Sequence, residues 1–259
     1  MIFETHAHYE DERFDEDRQS LLASMRENGI GWIVNVGSTI ETSVKSIELA
    51  QQYDFIYAAV GVHPSEIACL NDTEMEFLKE QARHEKVVAV GEIGLDYYWE
   101  KDPEVRKRQQ DWFRKQLVLA KEVQLPVIIH SRDAAQDTLA IMKEAHKMQI
   151  PGIIHCFSYS PEIAQEYAAM GYYIGIGGVV TFKNAKKLRE VVRQIPLKYL
   201  LLETDCPYMA PEPYRGKRNS SLYLSYVVEQ IAAIKGCTPD EVITVTKQNA
   251  CNVYQISQD

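Results

Sequence analysis

His6-Ala7-His8 sets two imidazoles two residues apart. On extended chain, positions i and i+2 face the same side, so both rings can aim at one point. Side chains of the same chemical kind recur further along, each just past a short apolar run: His63, Glu92, His130, His155 and Asp205. Taken singly, each has a plain reading. An HxH pair is a weak motif, His130 fits a satisfied buried histidine, Asp205 fits a loop cap, and His63 before Pro64 fits a turn. If the runs are parallel strands, however, their C-terminal ends all converge on one face. His6, His8, Glu92, His130, His155 and Asp205 then form one candidate metal set. Imidazole with carboxylate suits Zn²⁺, Mn²⁺, Fe²⁺ or Co²⁺ better than a bare Mg²⁺ site. Six ligands exceed what one tetrahedral ion with an open position uses. Two divalent ions about 3.5–4 Å apart, bridged by a carboxylate, would use them all. His84 and His146 sit in helical, charged surroundings and read as surface residues.

The elements that must position these side chains follow from patterning. Short β-rich apolar runs fall at 2–5, 32–36, 56–60, 87–90, 127–129, 152–154, 172–176 and 199–202. Helical spacing lies between them, as at 105–123, where Trp112, Phe113, Leu117, Leu119 and Ala120 share a broad face, and at 138–146. Alternating strands and helices imply βαβ units, and runs apolar throughout imply strands covered on both faces. Eight such units in 259 residues match a single-domain α/β protein, a (β/α)8 TIM barrel spanning 1–259. A last helix at 239–254 would close it from outside. The alternative is an open doubly wound sheet, which the lack of a GxGxxG after the first strand disfavours.

Composition narrows the classes further. A hydrophobic share of 46% and a charged share of 25% exclude disorder. No apolar run reaches the roughly 18–20 residues of a membrane span, and the acidic first 18 residues do not read as a signal peptide. Cys69, Cys156, Cys206, Cys237 and Cys251 are scattered and form no CxxC, which points to reduced thiols and a cytoplasmic location. With 28 Lys and Arg against 37 Asp and Glu, the net charge of −9 argues against a broad nucleic-acid surface. It leaves room for a local basic patch.

Several segments resemble the TatD family of metal-dependent deoxyribonucleases, within the amidohydrolase superfamily of TIM barrels. They are Thr5-His6-Ala7-His8, Gly61-Val62-His63-Pro64, Gly91-Glu92-Ile93-Gly94-Leu95-Asp96-Tyr97-Tyr98, Leu125-Pro126-Val127-Ile128-Ile129-His130-Ser131-Arg132, His155-Cys156-Phe157-Ser158, Glu203-Thr204-Asp205-Cys206-Pro207-Tyr208 and Arg215-Gly216-Lys217-Arg218-Asn219. They stand in family order and cover nearly the whole chain. The resemblance implies one metal on His6, His8, Glu92 and Asp205, and a second on Glu92, His130 and His155, with Glu92 as the bridge. It leaves the two divalent cations open among Zn, Mn, Mg, Ni and Co. Glu4 departs from the Asp usual before the His pair, and Ser65 stands where His is common.

Ions sharing a water lower its pKa toward neutral. Asp205, with Glu92, is then the candidate catalytic pair, Asp205 as general base. No GxSxG elbow offers a serine nucleophile, and His63 is the candidate general acid unless a metal acts alone. His63, Arg132, Arg215, Lys217 and Arg218 are the candidate substrate-binding residues. Lys183 also follows the seventh strand, whereas Lys186 and Lys187 read as a solvated helix face. Tyr97, Tyr98 and Trp99 could stack on bases or pack the rim. The leading expectation is an exonucleolytic deoxyribonuclease acting on short or single-stranded DNA ends, with no membrane or obligate protein partner. The alternatives are a hydrolase of an ester or amide, such as an aminoacyl-tRNA ester, and a non-catalytic binding module.

Overall fold

Runs such as Ile-Tyr-Ala-Ala-Val are apolar at every position, so they form strands only where layers cover both faces. The computed structural model, which describes residues 1–257, supplies those layers. The chain runs β1 (Ile2–Ala7), α1 (Arg18–Ala23), β2 (Ile30–Val36), α2 (Ile40–Gln52), β3 (Ile56–Val60), α3 (Asp72–Gln81), β4 (Val87–Asp96), α4 (Pro103–Val123), β5 (Val127–Arg132), α5 (Ala135–Lys147), β6 (Gly152–Ile154), α6 (Pro161–Ala169), β7 (Tyr173–Ile176), α7 (Lys186–Gln194), β8 (Leu200–Leu202), α8 (Leu224–Lys235) and α9 (Pro239–Tyr254). The strands pair in chain order from β1 to β8, each pair parallel. A parallel bridge between Ala7 and Cys206 joins the two ends of the sheet. Thr5 Oγ1 donates to the Leu202 carbonyl at 2.9 Å, and the Asp205 N–H to the His6 carbonyl at 3.0 Å. This is the expected single-domain (β/α)8 barrel. Residues 258–259 of the expected 1–259 domain lie outside the described residues. Among the described residues, no helix is long and apolar enough to cross a membrane.

Strand lengths depart from expectation where polar residues begin. β1 continues to Ala7, β4 to Asp96 and β5 to Arg132. Backbone pairing outlasts the apolar run because each neighbouring strand still offers N–H and C=O partners, as in the registers Gly94↔His130 and Asp96↔Arg132. Glu92 and His130 therefore stand on strands. α4 starts earlier than expected, with Pro103 in its first turn and the Asp102 side chain accepting from Glu104 N–H at 2.9 Å.

The barrel interior is layered. Ile128, Ile153 and Leu201 belong to an apolar cluster with Phe3, Val34, Ala59 and Ala89. Two residues further on, on the same faces, stand His130, His155 and Glu203. Apolar packing thus fills the lower barrel and the polar groups occupy the C-terminal mouth. Ala250, Val253 and Tyr254 of α9 join the apolar cluster, and Tyr254 Oη donates to the Thr5 carbonyl at 2.9 Å. The last helix therefore does not only cover the outside, as expected. Its end packs against the interior layer.

At Gly94, between Glu92 and Asp96, φ is +145°, and a Cβ would run into the His130 carbonyl. Only glycine lets β4 lie that close to β5. Gly94→Ala is expected to lower stability by about 2–4 kcal/mol in urea unfolding. An unchanged unfolding midpoint would contradict this packing.

Candidate metal centre

β1 projects His6 into the mouth, and His8 follows just past its end. His8 Nδ1 donates to the Val36 carbonyl at 2.7 Å, which leaves Nε2 facing the cup. There it meets His6 Nε2 at 3.1 Å and Asp205 Oδ1 at 3.4 Å. His155 is oriented the same way: its Nδ1 lies 3.1 Å from Glu203 Oε2, and its Nε2 stands 3.8 Å from both Glu92 Oε1 and Asp205 Oδ1. The two oxygens of Glu92 are divided between these rings. Oε2 faces His6 Nε2 at 3.6 Å and His8 Nε2 at 3.9 Å. Oε1 faces His130 Nδ1 at 2.8 Å, His155 Nε2 at 3.8 Å and His63 Nε2 at 3.9 Å.

The donor set fits divalent cations. His6, His8 and Asp205 offer ligand atoms that all lie within 4.8 Å of one another, and so do His63, Glu92 and His130. Donors bound to one ion at about 2.0–2.2 Å lie roughly 3–3.5 Å apart at tetrahedral or octahedral angles; His6–His8 at 3.1 Å and His8–Asp205 at 3.4 Å have that spacing, and His6–Asp205 at 3.9 Å is wider. His130 differs from the others. Its Nδ1 bonds Glu92 and its Nε2 lies 3.1 Å from Asp96 Oδ2, so both ring nitrogens already face carboxylates. His63, read as a turn residue or substrate contact, joins the cluster with its ring centroid 4.2 Å from that of His130. Ser65 Oγ bonds His63 Nδ1 at 2.8 Å and turns Nε2 toward Glu92, which gives the departure at Ser65 a local role.

Further carboxylates orient the rings. Glu203 Oε1 accepts the Cys156 N–H at 2.6 Å while Oε2 holds His155. Glu10 Oε1 lies 3.6 Å from His8 Nδ1 and is itself held by Asn35. Glu4 Oε1 accepts the N–H groups of His6 at 3.1 Å and Thr204 at 2.9 Å, and its Oε2 the Ser221 hydroxyl at 2.9 Å. It thereby fastens the His pair to the Asp205 segment. Neither Glu203 nor Asp96 was assigned a role from sequence. The available signal was period two: Glu92 and Asp96 lie four apart on one strand, and Glu203 lies two from Asp205.

Burial and this network set the titration of the groups. Burial drives the Glu4 carboxyl up to about 7, against its three donors. For Glu92, burial pushes upward, but His130, His6 and the rings beyond outweigh it and hold the carboxyl well below its ordinary value. For His130, burial pulls downward, and Asp96 and Glu92 outweigh it and raise the imidazole to about 9. For His155, burial pulls downward, and Glu203, Asp205 and Glu92 together outweigh it and lift the imidazole to about 9. Burial, then the His130 charge, lower His63 to about 4.

The expected substrate residues divide. Arg132 is exposed, with its guanidinium 3.9 Å over the Tyr98 ring. Arg215 lies 4.4 Å over Phe182, and Lys217 stands exposed beside Tyr214. Arg218 is engaged elsewhere: Nη1 donates to Asp17 at 2.8 Å and to the Arg13 carbonyl at 2.7 Å, and the guanidinium covers Phe14. It ties the loop after β8 to the loop after β1, a partner 201 residues away that sequence alone does not reveal. Tyr97 packs into the rim, whereas Tyr98 and Trp99 are exposed. Lys183, Lys186, Lys187 and His146 are exposed, and His84 bonds Gln51 on the flank.

Comparison with known proteins agrees with this geometry. A family described as TatD related DNase matches residues 3–255. The chain is 46% identical over 257 residues to YabD of Bacillus subtilis (strain 168), named an uncharacterized metal-dependent hydrolase, over 99% of this chain and 100% of that protein. It is 36% identical over 262 residues to YcfH of Escherichia coli (strain K12), named likewise, over 99% and 96%. The crystal structure of YjjV, a TatD homologue from Escherichia coli K12, superposes with a TM-score of 0.91 at 32% identity, over 99% of this chain and 98% of that one. Barrel and site together define a metal-dependent hydrolase of the (β/α)8 class. The chain belongs to the TatD-related DNase family.

A carboxylate that holds the far nitrogen of a ligand imidazole fixes its tautomer and aim, and its loss typically costs 10–100-fold in metal affinity. Glu203→Gln is therefore expected to weaken Mn²⁺ or Zn²⁺ binding about 10–100-fold by calorimetry. Unchanged affinity would contradict the orienting role of Glu203.

Proposed function

We propose that this chain is a metal-dependent deoxyribonuclease that hydrolyses phosphodiester bonds at short or single-stranded DNA ends. The observation that carries the reading is the division of Glu92, one oxygen toward His6 and His8 and the other toward His130 and His155. In this reading His6, His8, Glu92 and Asp205 hold one divalent cation, and Glu92, His130 and His155 hold the second. As a ligand, His130 would offer the nitrogen that now faces Glu92, with Asp96 holding the other.

When bound, the cations supply Lewis-acid charge for a phosphodiester and lower the pKa of an attacking water. Asp205 takes the proton of that water. Its side chain is 21% exposed, the most open of the carboxylates at the cup, so it meets both solvent and His8. Backbone bonds on either side, Asp205 N–H to the His6 carbonyl at 3.0 Å and Tyr208 N–H to the Asp205 carbonyl at 2.8 Å, keep it over the His pair. His63, with Nε2 3.9 Å from Glu92 Oε1, stands beside the cluster as a hydrogen-bonding partner for substrate. Arg132, Arg215 and Lys217 receive phosphate oxygens. Arg218, paired with Asp17, supports the loop that carries Arg215 and Lys217. The reaction belongs in a reducing cytoplasm, in keeping with the free thiols of Cys156, Cys206, Cys237 and Cys251.

Asp205→Asn is expected to lower kcat on a labelled oligonucleotide by about 10²–10⁴-fold with Mn²⁺ or Mg²⁺ present and the circular dichroism spectrum unchanged. Full activity in that variant would contradict the assignment. Wild-type hydrolysis of simple esters, with none of any oligonucleotide, would move the site to ester chemistry.

A further inference from the structure

The rim of the barrel above His130 carries a feature that metal binding does not use. Trp99 is 75% exposed and Tyr98 43%, with their rings edge to face at 4.6 Å between centroids. Exposed aromatic surface of this size is unfavourable in water and marks binding sites when it is held in place. Here it is held. Asp96 Oδ1 accepts the N–H groups of Tyr98 at 2.9 Å and Trp99 at 3.4 Å. Lys101 Nζ donates to the Tyr97 carbonyl at 2.8 Å, and Arg106 Nε to the Glu100 carbonyl at 2.9 Å. The turn is thus pinned at both ends while its two outer rings face solvent.

Arg132 completes the feature. Its guanidinium lies 3.9 Å over the Tyr98 ring and 5.8 Å from that of Trp99. Among the described residues it has no carboxylate partner, so its N–H groups are available to an anion while one face is covered by an aromatic ring. Position relates the feature to the metal cup. Arg132 stands two residues past His130 on β5, and the carboxylate whose Oδ1 pins Tyr98 and Trp99 bonds His130 through its Oδ2 at 3.1 Å. One side chain, Asp96, therefore sets the spacing between the aromatic pair and the cluster.

We propose that Tyr98, Trp99 and Arg132 form a stacking platform for one unpaired nucleobase next to the scissile phosphate, with Arg132 on a neighbouring phosphate. This rests on the nuclease reading. Any base can stack on such a surface, whatever its sequence, but only when it is free of a helix. The platform thus selects single-stranded or frayed ends, and it gives a protein of net charge −9 a grip on DNA without a broad basic surface.

The test compares Mn²⁺-loaded wild type, Trp99→Ala and Trp99→Phe on two short single-stranded oligonucleotides. One carries thymine at the cleaved end and the other an abasic residue. The wild type is expected to show a KM roughly tenfold to a hundredfold lower for the base-bearing end. Trp99→Ala should lose that discrimination, and Trp99→Phe should keep most of it. Tryptophan fluorescence should be quenched on titration with the base-bearing oligonucleotide, and the quench should vanish in Trp99→Phe although Trp32 and Trp112 remain. Equal KM values on both ends for the wild type, or discrimination retained by Trp99→Ala, would overturn the platform while leaving the nuclease reading intact. No cleavage of either oligonucleotide by the wild type would overturn both.

Discussion

A barrel mouth that buries Glu92 and Glu203 beside Asp205 must balance their charge, because an unpaired buried carboxylate is far costlier than the packing around it can offset. The fold meets this demand by alternating acids with imidazoles. Glu203 faces His155, and His155 faces Glu92 and Asp205. Glu10 faces His8, which faces Asp205. Asp96 faces His130, which faces Glu92. In each chain the outer carbonyl or carboxylate takes one ring nitrogen and leaves the other directed inward. The same need that places histidines around the acids makes the cup a site for divalent cations, which can replace protons as the balancing charge.

The barrel makes this crowding feasible at modest local cost. Parallel strands bring side chains from distant parts of the chain to one rim, and the apolar layer below them, from Phe3 to Leu201, supplies the burial that stabilises the domain. Polar residues begin partway along the strands, at Glu4 on β1, Glu92 on β4 and His130 on β5, and continue to the mouth. Glu4 sits at the boundary between these layers and clamps β1 to the segment after β8 through two backbone N–H groups. Its carboxyl spans the seam where the first and last strands meet.

Much of this was legible in the chain because it depends on local rules. Apolar runs mark the strands and the chemistry-bearing residues follow them within a few positions, so the sequence alone gathers His6, His8, Glu92, His130, His155 and Asp205. What was illegible depends on contacts between remote residues. An apolar pattern ends at a polar residue even where backbone pairing continues, so β4 was cut short of Glu92. The engagement of Arg218 by Asp17 is invisible because no local rule links the two loops. The swing of His63 into the cluster turns on Ser65, a single hydroxyl whose orientation only the folded loop defines.

The proposed function depends on Glu92 bridging two cations. An anomalous difference map from crystals grown with Mn²⁺ tests this directly. Two peaks about 3.5–4 Å apart are predicted, one on the Oε2 side with His6 and His8 and one on the Oε1 side with His130 and His155. A single peak remote from Glu92, or Mn²⁺ bound only outside the barrel mouth, would contradict it.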